Sequence, residues 1–111
     1  MDIKRGTTPH LSVRFNGLDD DAAVESIDFV FKQQASENGP ALLRKRYPDN
    51  VQRKEGGVYR MFFSAEETRK FVAGKYIHMD TRITLAGGNI PPTSIVTVMV
   101  TPTLFSEEVQ P

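Results

Sequence analysis

Few residues in this chain are of the types that do chemistry, and their spacing decides what they are for. His10 and His78 are the only imidazoles. Neither stands at metal-ligand spacing from a second donor or beside a nucleophile. His78 lies two residues from Asp80 on the polar face of an alternating stretch, which suits a surface ion pair. Asp19, Asp20 and Asp21 are consecutive, so they lack both the alternating spacing and the distal bidentate glutamate of a calcium loop and read as a solvated turn. No serine sits in a nucleophile elbow. The pairs Gly56-Gly57 and Gly87-Gly88 fall between strand patterns rather than between a strand and a helix, where a phosphate cradle is built. The sequence therefore predicts no catalytic residue, no metal site, no cofactor and no small-molecule substrate. A non-enzymatic protein is expected.

The densest cluster of charge is RKRYPDNVQRK at 44–54, which puts Arg44, Lys45, Arg46, Arg53 and Lys54 on the two arms of one expected hairpin. In a strand Lys45 faces opposite to Arg44 and Arg46, and Tyr47 is placed to stack between the arginines. Such a ribbon suits contact with phosphate or with an acidic surface. The more economical reading is a solvated hairpin whose cations guard edge strands against unwanted pairing.

Beyond that cluster the composition mainly excludes. Fourteen basic and fourteen acidic side chains cancel, leaving no overall field to draw the chain onto nucleic acid or an anionic membrane. There is no cysteine, which rules out disulfides and thiolate chemistry together. No run approaches the ~18 apolar residues of a membrane span, and Asp2, Lys4, Arg5, Thr7 and Thr8 are followed by no apolar stretch, so no secretory signal is expected. A chain of 111 residues suits one domain, burying roughly 65% of the surface its unfolded form exposes.

Period-two alternation supplies most of the elements. Leu11, Val13 and Phe15 alternate with polar residues over 10–16, and Ile27, Phe29 and Phe31 do so over 25–33. The Gly-Pro stretch QQASENGPA follows as a loop. Strands at 42–47 and 51–54 flank the turn residues PDN, and Glu55-Gly56-Gly57 leads into a strand at 58–63, so an antiparallel meander is expected. MFF at 61–63 belongs to the core. SAEETRKFVAG is the one helical signal, with Ser64 as N-cap, Glu67 completing a capping box and Gly74 as the stop. At about two turns it serves as a crossover between strands. Ile77, Met79, Thr81, Ile83 and Leu85 alternate over 76–85; AGGN turns the chain; and a β-branched run occupies 94–101, with Pro91-Pro92 keeping its approach out of a central ladder. The sum is an all-β fold, an immunoglobulin-like antiparallel sandwich of about seven strands with one short crossover helix near 64–73, a small barrel being the alternative. The whole of 1–111 forms the domain, with 1–9 as an N-terminal arm and 102–111 as a loosely held tail that Leu104 and Phe105 anchor.

IKRGTTPHLSVRF, the strand end FVFKQ, the helix SAEETRKFVAG and the late strand SIVTVMV together resemble small proteins from tail and baseplate modules of phages and prophages of Gram-positive gut bacteria. These are similar to the N-terminal domain of phage upper baseplate proteins. The resemblance runs from Ile3 to about Val109 and implies a β-sandwich that acts by protein-protein contacts, with no active-site residues. It further implies assembly in the host cytoplasm and residence in the virion, with other tail or baseplate proteins or further copies of the chain as partners. Strand addition at an edge or burial of a sheet face would make the contact. Ile3, Thr7, Thr8 and Pro9 are the candidates for an arm laid on a neighbour, and Arg44, Arg46, Tyr47, Arg53 and Lys54 for a basic contact. Two other classes compete: a carbohydrate-binding sandwich using Tyr47, Tyr59 or Tyr76 as an aromatic platform, and a nucleic-acid-contacting module using the basic hairpin.

Overall fold

A computed structural model describes residues 2–18, 22–34, 39–93 and 96–101. The aspartate triplet, the middle of the 33–41 loop, Ser94 at the expected start of the last strand, and the tail with Leu104 and Phe105 lie outside the described residues. Alternation fixes the architecture, because a strand with one apolar face must bury it against a second layer. Among the described residues eight strands result: β1 (Asp2–Lys4), β2 (His10–Arg14), β3 (Val24–Lys32), β4 (Ala41–Tyr47), β5 (Val51–Arg53), β6 (Val58–Phe62), β7 (Tyr76–Leu85) and β8 (Val96–Thr101). They form a five-stranded sheet, ordered β1-β8-β7-β3-β4, packed on a three-stranded sheet, ordered β2-β6-β5. The fold is an all-β, immunoglobulin-like sandwich, antiparallel in every pairing but one among the described residues, since β1 runs parallel to β8.

Between the sheets the apolar faces meet as their spacing requires. Ile27, Phe29 and Phe31 of β3, Tyr59 and Met61 of β6, Ile77 and Met79 of β7, and Val98 and Val100 of β8 are all buried, each such side chain contributing about 1.5–3 kcal/mol. Phe31 stacks edge-on against Phe63 with ring centres 5.5 Å apart, a preferred aromatic geometry. On the outer face of the larger sheet polar residues of β3 and β7 stand opposite one another, Asp28 by Arg82 and Lys32 by His78.

Three sequence expectations are corrected. First, 42–54 is not a hairpin and the middle of the chain is not one meander. β4 pairs with β3 in the larger sheet, whereas β5 pairs with β6 in the smaller, so 48–50 is a corner between sheets. The turn residues that close a hairpin serve a corner equally well. Asn50 holds it, its amide donating to Arg46 O at 2.8 Å and its Oδ1 accepting from Arg46 N at 2.7 Å; the Tyr47-Pro48 bond is cis. The hairpin between β5 and β6 is present, with Gly56 and Gly57 both at positive φ in the 3-10 turn Glu55–Gly57.

Second, the helix α1 (Ala65–Thr68) is a single turn, followed by turn bonds from Lys70 N to Glu67 O and Phe71 N to Thr68 O. Its capping box forms as expected: Ser64 Oγ accepts from Glu67 N at 3.1 Å and Ser64 N donates to Glu67 Oε1 at 2.8 Å. The segment carries the chain from β6 in one sheet to β7 in the other, and also buries Thr68 and Phe71.

Third, part of the N-terminal arm is a strand of the protein's own sheet. Ile3 sits opposite Val100 in the β1–β8 ladder and is 2% exposed. Three residues are too few to show a period, which is why the sequence gives this strand no signal.

Candidate functional site

The residues expected to make contacts are divided among several surfaces. Ile3 belongs to the core. Thr7 is turned back, its hydroxyl donating to Lys4 O at 2.6 Å. Pro9 O accepts from Phe63 N at 3.0 Å, tying the entry of β2 to β6, and Thr8 is exposed. The Arg5–Thr7 linker is held by the segment after α1. Arg5 Nε and Nη2 donate to Phe71 O at 3.1 Å and Arg69 O at 3.0 Å, and Gly6 N donates to Thr68 Oγ1 at 2.9 Å.

The five cations of 44–54 do not share a ribbon. Arg44 and Arg46 lie on the outer face of β4, where Arg46 Nη1 is 3.3 Å from Asp28 Oδ1 in a half-exposed pair. Lys45 faces the opposite way, as alternation requires, and its ammonium bonds both oxygens of Glu67 and lies 5.4 Å from the centre of the Phe63 ring. Tyr47 does not stack between the arginines. It shares the inward side with Lys45 and meets Tyr59 edge-on at 5.3 Å. Arg53 points inward as well, donating to Ala22 O at 3.0 Å with its guanidinium over the Tyr59 ring. Lys54 is in the turn after β5, with its amide bonded to Val58 O. Of the tyrosines that would make an aromatic platform, Tyr59 is wholly buried and Tyr76 is 54% exposed.

Two ionisable groups respond to these surroundings. Burial alone would raise the Glu67 carboxyl, but the hydrogen bond from Lys45, the bonds from Ser64 and the Lys45 charge outweigh it, and the net shift is downward. The Tyr59 hydroxyl is pushed up by desolvation, opposed in part by Arg53, and has no hydrogen-bond partner among the described residues. No group of three or more metal-ligating side chains occurs among the described residues, and none of their helices is long and apolar enough to cross a membrane.

The larger sheet extends past the smaller, and this is where sequence reasoning missed a feature. β2 is the last strand of its sheet. Opposite it a groove of about 530 Å³ opens between the sheets, lined by Val13, Phe15 and Leu18 on one side and by Met79, Ile83 and Val96 on the other, with Arg14 at its edge. Val96 pairs with Met79 in the ladder and so belongs to the inward face, yet it is 44% exposed. Pro91 and Pro92, which line the same groove, are the one sequence signal of it: they keep the approach to β8 out of the ladder.

The open strand edges follow from hydrogen-bond parity. Phe63 N bonds Pro9 O and Phe15 N bonds Gly57 O, so the odd-numbered residues of β2 turn their backbone groups to β6. By alternation His10, Ser12 and Arg14 turn theirs outward. On β4 the outward groups of Arg46 are taken by Asn50, and those of Arg44 face the same way.

No protein-family model matches this chain, and no curated protein matches it.

Proposed function

We propose that this protein is a non-enzymatic structural or assembly component of a phage-derived particle, a tail or baseplate protein acting through protein-protein contacts. The family part of the reading rests on the resemblance carried by IKRGTTPHLSVRF, FVFKQ, SAEETRKFVAG and SIVTVMV. The contact part rests on one observation. β2 ends its sheet with outward backbone groups and stands beside a groove lined by inward-facing apolar residues. Unpaired strand edges are templates for another chain, and apolar ground beside one supplies the association energy. Its partners are other tail or baseplate proteins or further copies of itself, met in the host cytoplasm during assembly and kept in the virion.

Sedimentation velocity tests this, with the purified chain alone over a hundredfold concentration range and then mixed with the product of each flanking gene. The reading expects a faster-sedimenting species in at least one mixture or a concentration-dependent shift of the chain alone. A monomer throughout would overturn it.

A further inference from the structure

We infer that the free edge of β2, with the groove beside it, accepts an extended strand of a partner protein whose apolar residues alternate with polar ones and which carries a carboxylate opposite Arg14. This inference rests on the protein-contact reading above and names the surface and the chemistry of what binds there.

Among the described residues β1, β4, β2 and β5 end a sheet; β1 and β5 are three residues each, too short to template a long partner strand, and the longer two, β4 and β2, differ in how they are guarded. β4 carries the inward-pointing charge of Lys45, which is 6% exposed, and Asn50 occupies the outward groups of Arg46. An inward charge and a capped backbone are devices by which edge strands avoid adding another strand. β2 has neither. Its inward residues are Leu11 and Val13, and none of the outward backbone groups of His10, Ser12 and Arg14 has a partner among the described residues.

The groove then specifies the side-chain pattern. A strand added to β2 turns every second side chain inward, onto the face of the opposite sheet about 10 Å away. The inward surface awaiting it is mainly apolar, Thr81 and Thr93 being its threonines, with Val96 half uncovered although its ladder partner Met79 is 2% exposed. An alternating strand matches backbone and groove at once, whereas a helix or a small apolar molecule would leave the edge amides unmet. The charge follows from the rim. Arg14 is the charged side chain among the described groove residues, and it makes no ion pair with a described residue, so a carboxylate on the incoming strand is its complement.

The test uses the full chain, 15N-labelled, and a panel of capped octapeptides alternating Val or Ile with Thr and one Glu. Controls are peptides of the same composition with the apolar residues made contiguous, and peptides with Lys in place of Glu. Alternating Glu peptides are expected to shift the amides of His10, Ser12, Arg14 and Val96, with at least fivefold weaker binding for the Lys peptides. Val96→Arg, at an exposed position, should weaken binding tenfold or more, and Arg14→Glu should reverse the Glu-over-Lys preference; wild-type melting curves for both would show that the fold is intact.

Several results would overturn the inference: no shift at millimolar peptide, shifts centred on β4, equal binding of the scrambled peptides, or self-association that alone occupies β2. Its failure is distinguishable from that of the broader reading. If flanking-gene products still form complexes that Val96→Arg leaves intact, the contact lies elsewhere. If peptides bind but no complex sediments, the particle assignment fails and the edge stands.

Discussion

The Lys45 ammonium lies 3.0 Å from Glu67 Oε1 and 2.9 Å from Oε2, tying the inward face of edge strand β4 to the first turn of α1. One carboxylate thus satisfies a buried cation and completes the capping box through Ser64 N. Removing it leaves Lys45 with its side chain 7% exposed and without its counter-charge.

Glu67→Gln is therefore expected to cost about 3 kcal/mol at neutral pH. Because the carboxyl is held below its ordinary 4.5 in the folded protein, its contribution is complete above the unfolded value and is lost as pH falls through the folded one. Urea midpoints measured from pH 7 down to pH 3 should decline below about 4.5 in the wild type. The variant should start lower and show a flatter slope. Equal slopes would mean that the pair does not govern acid stability.

The Tyr59 hydroxyl is buried without a hydrogen-bond partner among the described residues, while its ring packs against Phe15 and Tyr47. Tyr59→Phe keeps the ring and removes the orphaned group, so a gain of about 1 kcal/mol is expected. Calorimetry showing a loss of similar size would mean that the hydroxyl is hydrogen-bonded in solution.

Gly57 combines φ +76 with a backbone approach so close that a Cβ would lie 2.5 Å from Leu18 O and 2.8 Å from Phe15 O. Gly57→Ala should destabilise by more than about 2 kcal/mol. At Gly17, where φ is also positive but the space is open, the same change should cost only about 1 kcal/mol. Thermal melts of the two variants check the difference.

Since Ile3 fills the protein's own core, Ile3→Ala is expected to cost about 2–4 kcal/mol in the isolated chain. Arg5→Ala, which frees the carbonyls of Phe71 and Arg69, should add a smaller loss. Unchanged unfolding midpoints would mean that the N-terminal strand is dispensable for folding and is available to a neighbour.

Much of this molecule was legible because alternation and burial are the same fact seen twice. Ile27, Phe29 and Phe31, and Ile77 through Ile83 by twos, had to face inward for any sandwich to close. Ser64 and Glu67 announced their capping box at fixed spacing. What stayed hidden depends on tertiary placement. PDN at 48–50 reads alike in a hairpin and in a corner between sheets, so the local pattern puts Arg44 and Arg53 on one ribbon that the sheets pull apart. The groove beside β2 arises from unequal sheet widths, which no local pattern encodes, although Pro91-Pro92 marks where the ladder stops.

Whether this sandwich works through its strand edges is read most directly by amide hydrogen exchange, compared between the free chain and the chain bound to a sedimenting partner. The outward amides of His10, Ser12 and Arg14, fast in the free protein, should become protected in the complex. Protection confined to loops away from any edge, with those three amides still fast, would contradict it.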